Sequence, residues 1–286
     1  MNNKLNAEGF IESCTEWMTN YALDANCKGF VIGVSGGIDS AVVSTLCAKT
    51  GLSVLCLEMP IHQTQDEITR AQEHIEWLTK NFPNVDSRRI DLTSTFDELS
   101  RVFQGSFFTH LAAQGYSPSS LKDFYELGLV NSRSRLRMIT LYQCATTLRY
   151  LVAGTGNKVE DFGIGFYTKY GDGGVDFSPI ADIMKTEVYE VAKALNIVPS
   201  IIAAKPTDGL WTDGRGDEDQ IGASYPELEW AMEWLLKNKD NEEGWTLLTE
   251  RQKDVISIYN HRNKANQHKM NPIPVFDSTA NRNINQ

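Results

Sequence analysis

The stretch Gly29-Phe-Val-Ile-Gly-Val-Ser-Gly-Gly-Ile-Asp-Ser40 decides how the rest of the chain is read. Gly29 to Ser35 is a short apolar run of strand length that ends in Gly36-Gly37. A helical stretch follows from Asp39 to Lys49, with Gly51 placed to stop it in a left-handed cap. A second apolar run, Val54 to Leu57, comes directly after. Strand, glycine turn, helix, strand is the plan of a right-handed βαβ unit. Glycines at such a turn let backbone N–H groups approach an anion closely, and the helix N-terminus adds partial positive charge. Ser35 and Ser40 add hydroxyl donors. This is not a Walker A loop, because no Lys precedes Ser40, and the G-x-G-x-x-G dinucleotide fingerprint is absent. Asp39 would repel a phosphate unless a divalent cation bridges the two, which makes it a candidate Mg2+ ligand. Taken alone, Gly36-Gly37 also reads as a plain tight turn, with Asp39 merely in the first helical turn.

Outward from that unit the alternation continues. Thr64 followed by Glu67 forms a capping box, and the helix behind it places Ile68, Ala71, Ile75 and Leu78 on one face. Arg89-Ile-Asp-Leu92 reads as a third strand and Leu151-Val-Ala-Gly154 as a fourth. Between them a helix from about Ser132 to Thr147 carries Met138, Leu141, Ala145 and Leu148 along one side. Another helix, starting near Lys185, buries Val188, Val191, Ala192 and Leu195. Such alternation calls for an α/β fold: a parallel sheet with helices on both faces. Two regions break the pattern. Gly105 to Ser120 reads as a surface excursion, and Thr207 to Ser224, with Asp213-Gly-Arg-Gly-Asp217, as a mobile loop. The expected organisation is a single domain over 1–286: an N-terminal helix at about 6–23, an α/β core at about 29–206, the loop 207–224, and C-terminal helices and tail at 225–286. The C-terminal helices are expected at about Pro226 to Lys237 and Thr249 to His261.

Composition narrows the function classes. Lys and Arg number 27 against 37 Asp and Glu, a net charge of −10. That balance argues against broad binding to nucleic acid, which needs a basic face, while leaving room for a small anion in a local basic pocket. Five cysteines without C-x-x-C spacing and the lack of a signal-like start or a membrane-length apolar run suggest a reducing, cytoplasmic setting. No Ser-His-Asp arrangement and no Cys/His metal cluster stands out.

The loop Ser35-Gly-Gly-Ile-Asp-Ser40 resembles that of the N-type ATP pyrophosphatases, which split ATP between the α and β phosphates. Four later motifs follow in order: Asn131-Ser-Arg-Ser-Arg-Leu-Arg-Met138, Gly154-Thr-Gly-Asn-Lys-Val-Glu160, Phe166-Tyr-Thr-Lys-Tyr-Gly-Asp-Gly-Gly174 and Lys205-Pro-Thr-Asp208. Together they resemble the NAD synthetase family, over about Gly29 to Phe276. The resemblance implies an adenine nucleotide alpha hydrolase-like, Rossmann-like fold and a ligase that amidates deamido-NAD with ammonia through an acyl adenylate. It implies ATP binding by Gly33, Val34, Ser35, Gly36, Gly37, Ile38, Asp39, Ser40, Thr155, Lys185 and Thr207. Asp39 and Glu160 would hold Mg2+, while Arg135, Lys169, Asp176, His268 and Lys269 would contact deamido-NAD. Asp176 is also the expected acceptor of the ammonia proton. A homodimer with the helix at Ser132 to Thr147 in its contact is implied too, with no nucleic acid or membrane partner.

Three arginines at the start of that helix, Arg133, Arg135 and Arg137, would be disfavoured by its dipole and so suggest an anionic partner. For Arg133 a solvated surface charge is an equal reading. Many family members read Gly-Thr-Asp-His where this chain has Gly154-Thr-Gly-Asn157, a variant that also resembles the synthetase half of glutamine-dependent relatives. About 28 residues precede the first strand, too few for a glutaminase domain, so ammonia is the expected nitrogen source. The alternatives are a GMP-synthetase-like or tRNA-modifying ATP pyrophosphatase, or a nucleotide-binding regulator without catalysis.

Overall fold

Four parallel strands organise the chain: β1 Gly29–Gly33, β2 Ser53–Glu58, β3 Val85–Arg89 and β4 Leu151–Val152, in the order β3-β2-β1-β4. The computed structural model describes residues 4–207, 209, 216–238 and 242–278. Register pairs Gly29 with Ser53, Phe30 with Leu151 and Val54 with Val85. Beyond β4, Ala153 bridges Phe177 in parallel, and the Gly154 amide donates to the Phe177 carbonyl at 2.8 Å. That contact brings the chain around Asp176 to the sheet edge. The strands are apolar on both faces because both faces are covered. Period two sends Phe30, Ile32, Val54 and Cys56 into one cluster and Val31, Leu55 and Leu57 into the other.

Over the first face lie α1 Ala7–Asp24, α2 Ile38–Lys49, α3 Gln65–Asn81 and, later in the chain, the helix Lys185–Ala194. Ten of the twelve residues of α2 are buried. Gly51 takes φ +78 just past its end, as a left-handed stop requires. The Thr64–Glu67 capping box is present with both of its bonds, at 3.4 and 3.2 Å. Over the second face lie α4 Thr93–Val102 and, after α5 Thr109–Ala113, the long α6 Pro118–Leu148. The later helices are α7 Lys185–Ala194, α8 Pro199–Ile202, α9 Asp217–Ile221, α10 Tyr225–Lys237, α11 Glu242–Thr246 and α12 Glu250–Met270. A π-helical segment, Lys158–Ile164, packs with α10 and α12 around Val159, Leu228 and Ile256.

Four expectations need correction. The third strand is Val85–Arg89, not Arg89 to Leu92. It is an edge strand of polar residues, with only Val85 apolar, so hydropathy misses it. The apolar Ile90 and Leu92 instead continue the bonding past the strand, onto the carbonyls of Glu58 and Pro60. The described side chains of Gly105 to Ser120 lie on the surface, as expected, but the stretch is largely helical rather than loosely patterned. It comprises the end of a π-helical segment Phe103–Phe108, then α5, and then the first turn of α6. No residue of α5 is buried, so no apolar stripe marks it. Consequently α6 begins fourteen residues before Ser132, and Arg133, Arg135 and Arg137 sit in its middle. The dipole argument therefore does not apply to them. The last helix also runs to Met270 rather than His261 and carries His268 and Lys269 in its final turn. Of the expected loop, residues 208 and 210–215 lie outside the described residues.

One core residue carries a pH signature. His74 on α3 is fully buried, its Nε2 lies 2.9 Å from Ser44 Oγ, and its ring stacks on Trp77. Burial pushes its pKa down to about 4 from the ordinary 6.5. The folded state thus holds His74 neutral while the unfolded chain protonates it, so stability falls as pH drops through 6.5 towards 4. Urea unfolding at pH 7 and pH 5 should differ by about 2 kcal/mol from this group. His74→Leu should remove that part of the difference; an identical pH dependence in the variant would contradict it.

Candidate active site

The turn between β1 and α2 is knitted by hydroxyls. Ser35 N donates to Ser40 Oγ at 3.2 Å, and the two Oγ atoms are 3.1 Å apart. Gly37 N donates to Ser35 Oγ, and Ser40 Oγ donates back to the Gly37 carbonyl. Gly36 adopts φ +81 and leans on α3, where a Cβ would stand 2.6 Å from the Glu67 carbonyl oxygen. Neither the backbone angle nor the close approach admits a side chain. Gly36→Ala is expected to cost about 2 kcal/mol or more in stability and to displace the turn. Differential scanning calorimetry and nucleotide titration check this, and an unshifted midpoint with wild-type ATP affinity would contradict it.

Asp39, in the first turn of α2, meets Glu160, in the first turn of the π-helix, across a single cation. Lys185, the first residue of α7, places Nζ 2.5 Å from Asp39 Oδ2 and 2.8 Å from Glu160 Oε1. Its side chain is 4 % exposed, against 18 % and 13 % for the two acids. Burial pushes the Glu160 carboxyl up, Lys185 counters that, and Asp39 adds to it. For Lys185, burial works against the charge, but Asp39 and Glu160 outweigh it and hold the ammonium firmly protonated. Asn157, fully buried, donates to Asp39 at 3.3 Å and accepts from the Glu160 amide at 3.2 Å, capping the π-helix. The carboxylate of Asp161 fills the space beside Gly156, where a Cβ would lie 1.9 Å from its Oδ2. Burial drives the Asp161 carboxyl well up, and Asp172, Glu160 and Asp39 add to the shift.

All of the expected ATP residues line one cavity: Gly33 to Ser40, Thr155, Lys185 and Thr207, together with Glu160. Lys205 lines it as well. Among the described residues no group of three or more His, Cys, Asp or Glu is arranged to hold a metal. Two carboxylates flanking a cation position are nonetheless the donor set that Mg2+ takes when substrate phosphates and water complete its shell.

The expected dinucleotide contacts lie outside that cavity. Four of the five are joined to one another or to one loop. Arg135 Nε donates to the Lys169 carbonyl, Lys169 Nζ to the His268 carbonyl, and Lys269 Nζ to the carbonyls of Gly165 and Tyr167. Their loop is pinned to α6 by Ser134, which exchanges hydrogen bonds with Asp172 at 2.6 and 2.8 Å. Asp176 is placed elsewhere. It lines a second cavity with Cys27, Tyr142 and Arg149, where it accepts from Tyr142 Oη at 3.0 Å and from the Val152 amide at 2.8 Å. The expected proton acceptor is thus not brought to the Asp39–Glu160 pair. Arg133 is not a solvated charge either, since its guanidinium lies over the Phe96 ring at 4.8 Å.

Three further residues shape the site: Arg137, which the sequence marks only as one of three arginines near an anion, and Asn157 and Tyr225, which it does not mark as site residues. Arg137 reaches the Met59 carbonyl and Gln63 Oε1 across the cavity wall. Asn157 links the Asp39 carboxylate to the backbone amide of Glu160, and its signal was available, as a buried Asn ahead of a helical turn is a cap. Tyr225 contacts the acid–lysine group from α10 and carries no local signal, because its position reads as ordinary core.

Compared with known proteins, the NAD synthase family profile matches residues 10–273. The NH(3)-dependent NAD(+) synthetase of Finegoldia magna is 35% identical over 237 residues, 82% of this chain and 87% of that protein. Among solved structures, the NMN synthetase of Francisella tularensis superposes with a TM-score of 0.75 at 26% identity, covering 96% of this chain and all of that one. The NH3-dependent NAD synthetase of Campylobacter jejuni, in complex with nitrate, gives 0.70 at 25% identity with the same coverage.

Proposed function

Because the chain belongs to the NAD synthase family, we propose that it is a ligase forming a C–N bond, which amidates deamido-NAD with ammonia at the expense of ATP. The observation that carries this reading is the single cavity that unites the glycine turn, Thr155, Thr207 and the Asp39–Lys185–Glu160 group. In the first half-reaction the nicotinate carboxylate attacks the α-phosphorus of ATP, giving an acyl adenylate and pyrophosphate. Ammonia then attacks the activated carbonyl and releases AMP. The amide N–H groups of Gly36, Ile38, Asp39 and Ser40 hold the phosphates at the N-terminus of α2, with Lys185 and Thr207 as further donors. Asp39 and Glu160 would hold Mg2+, which would supply charge neutralisation on the phosphates. Lys185 occupies the position between those acids beforehand and is drawn to the phosphates when they arrive.

Arg135, Lys169, His268 and Lys269 take the dinucleotide, and Asp176 joins them from the second cavity. Its two oxygens already accept hydrogen bonds, so a part in accepting the ammonia proton requires the substrate to bring the nicotinate end to it. Exposed apolar side chains around α6, among them Val102, Phe107, Phe124, Leu127 and Ile139, support a homodimer that uses this helix. Sedimentation giving a monomer mass at working concentration would count against that contact. The chain is read as one synthetase domain over 1–286. No helix of the described residues is long and apolar enough to cross a membrane. All five cysteines are free thiols, which supports a cytoplasmic setting.

Incubation with ATP, Mg2+, ammonia and deamido-NAD should yield NAD and AMP in equal amounts. ADP as the product, or turnover without deamido-NAD, would sink the reading. The likeness to an NMN synthetase makes the corresponding mononucleotide the acceptor to run beside it, and glutamine the nitrogen donor to run beside ammonia.

A further inference from the structure

Tyr225 opens α10, far from every motif of the sequence, yet it is 3 % exposed against the acid–lysine group. Its ring lies against Lys185, with Nζ 4.9 Å from the centroid. Its hydroxyl donates to Asp217 Oδ2 at 2.9 Å. Asp217 is itself 5 % exposed and opens α9. Its amide donates to the Pro206 carbonyl at 3.2 Å, next to Thr207, whose Oγ1 accepts from Gly209 N. Pro206, Thr207 and Asp217 all line the cavity that holds the glycine turn. One side chain therefore ties the strap carrying Thr207 to the pair Lys185–Glu160.

We propose that Tyr225 is a positioning residue for nucleotide binding: through Asp217 it sets the Thr207 strap in register with Lys185 and Glu160, so that both sides of the phosphate site are placed together. The device rests on the proposed use of ATP in this cavity, but it concerns a residue that none of the family motifs supplies. A role in packing alone predicts something different. The ring would then matter and the hydroxyl would not, because only the ring fills the cluster with Val159, Leu228 and Ile256.

Tyr225→Phe separates the two, since it keeps the ring over Lys185 and removes the hydroxyl alone. MgATP binding by calorimetry should weaken about tenfold, and KM for MgATP should rise by a similar factor. KM for deamido-NAD should stay within about twofold, with little change in the unfolding midpoint. Asp217→Ala should give the same loss, the double variant no more than either, and Asp217→Asn, which keeps an acceptor oxygen, should recover most of it. Unchanged MgATP affinity in Tyr225→Phe, or additive losses in the double variant, would overturn the proposal. If Tyr225→Phe does not fold, Asp217→Ala decides by the same titration: wild-type affinity overturns it. A wild-type chain that binds MgATP but makes no NAD would defeat the reaction and leave this inference standing. One that makes NAD with Tyr225→Phe binding MgATP normally would defeat the inference alone.

Discussion

Lys185→Met should be the most damaging single change in the chain. Its ammonium is 2.5 and 2.8 Å from two carboxylates that are themselves nearly buried. Removing one partner of a buried ion group leaves uncompensated charge and typically costs about 3–5 kcal/mol. For a chain of this length that lowers the unfolding midpoint by roughly 5–10 °C. Met fills a similar volume, so the loss measures charge rather than a cavity. Millimolar Mg2+ should raise the midpoint of the variant more than that of the wild type, because a divalent cation can take the vacated place between the acids. Turnover should fall by about three orders of magnitude, since a cation aimed at transferring phosphates is worth several kcal/mol in the transition state. An unshifted midpoint would mean that Asp39, Lys185 and Glu160 are not the buried group described above.

Asp39→Asn separates chemistry from stability. Asn keeps the shape and the hydrogen bond with Asn157, and Lys185 retains Glu160, so the midpoint should move by no more than a few degrees. Half of the carboxylate pair available to Mg2+ is gone. AMP release should therefore drop by about 10²- to 10³-fold at saturating substrates, and the Mg2+ concentration for half-maximal rate should rise at least tenfold. Unchanged turnover would remove Asp39 from the metal site. Loss of folding would instead mark it as structural.

The central βαβ unit was legible because its strands are apolar, its turn is glycine and its helix is capped, three signals that agree. The glycine turn of the cavity was legible at the carboxyl edge of β1, where such sheets take ligands, whereas Thr155, Lys185 and Thr207 were reached only through the resemblance to the NAD synthetase family. Elsewhere the physics hid the signal. β3 is a polar edge strand, stabilised by its pairing with β2 rather than by buried side chains. The helices between Phe103 and Leu148 face outward over much of their length, so periodicity starts only where α6 meets the sheet. Lys185 at a helix start reads as a surface residue, and only tertiary structure reveals that Asp39, 146 residues earlier, closes on it. Asp176 matched its family position, yet its carboxylate is engaged by Tyr142 and the sheet edge, which no local pattern announces. The net charge of −10 described the surface. The proposed substrates are anions, and the site meets them with a buried lysine and an arginine–lysine cluster of its own.

The most direct measurement uses deamido-NAD carrying ¹⁸O in both oxygens of the nicotinate carboxylate. If that carboxylate attacks the α-phosphorus in this cavity, mass spectrometry finds one ¹⁸O in each AMP released and none in pyrophosphate. AMP without label, or label in pyrophosphate or inorganic phosphate, would contradict an acyl adenylate.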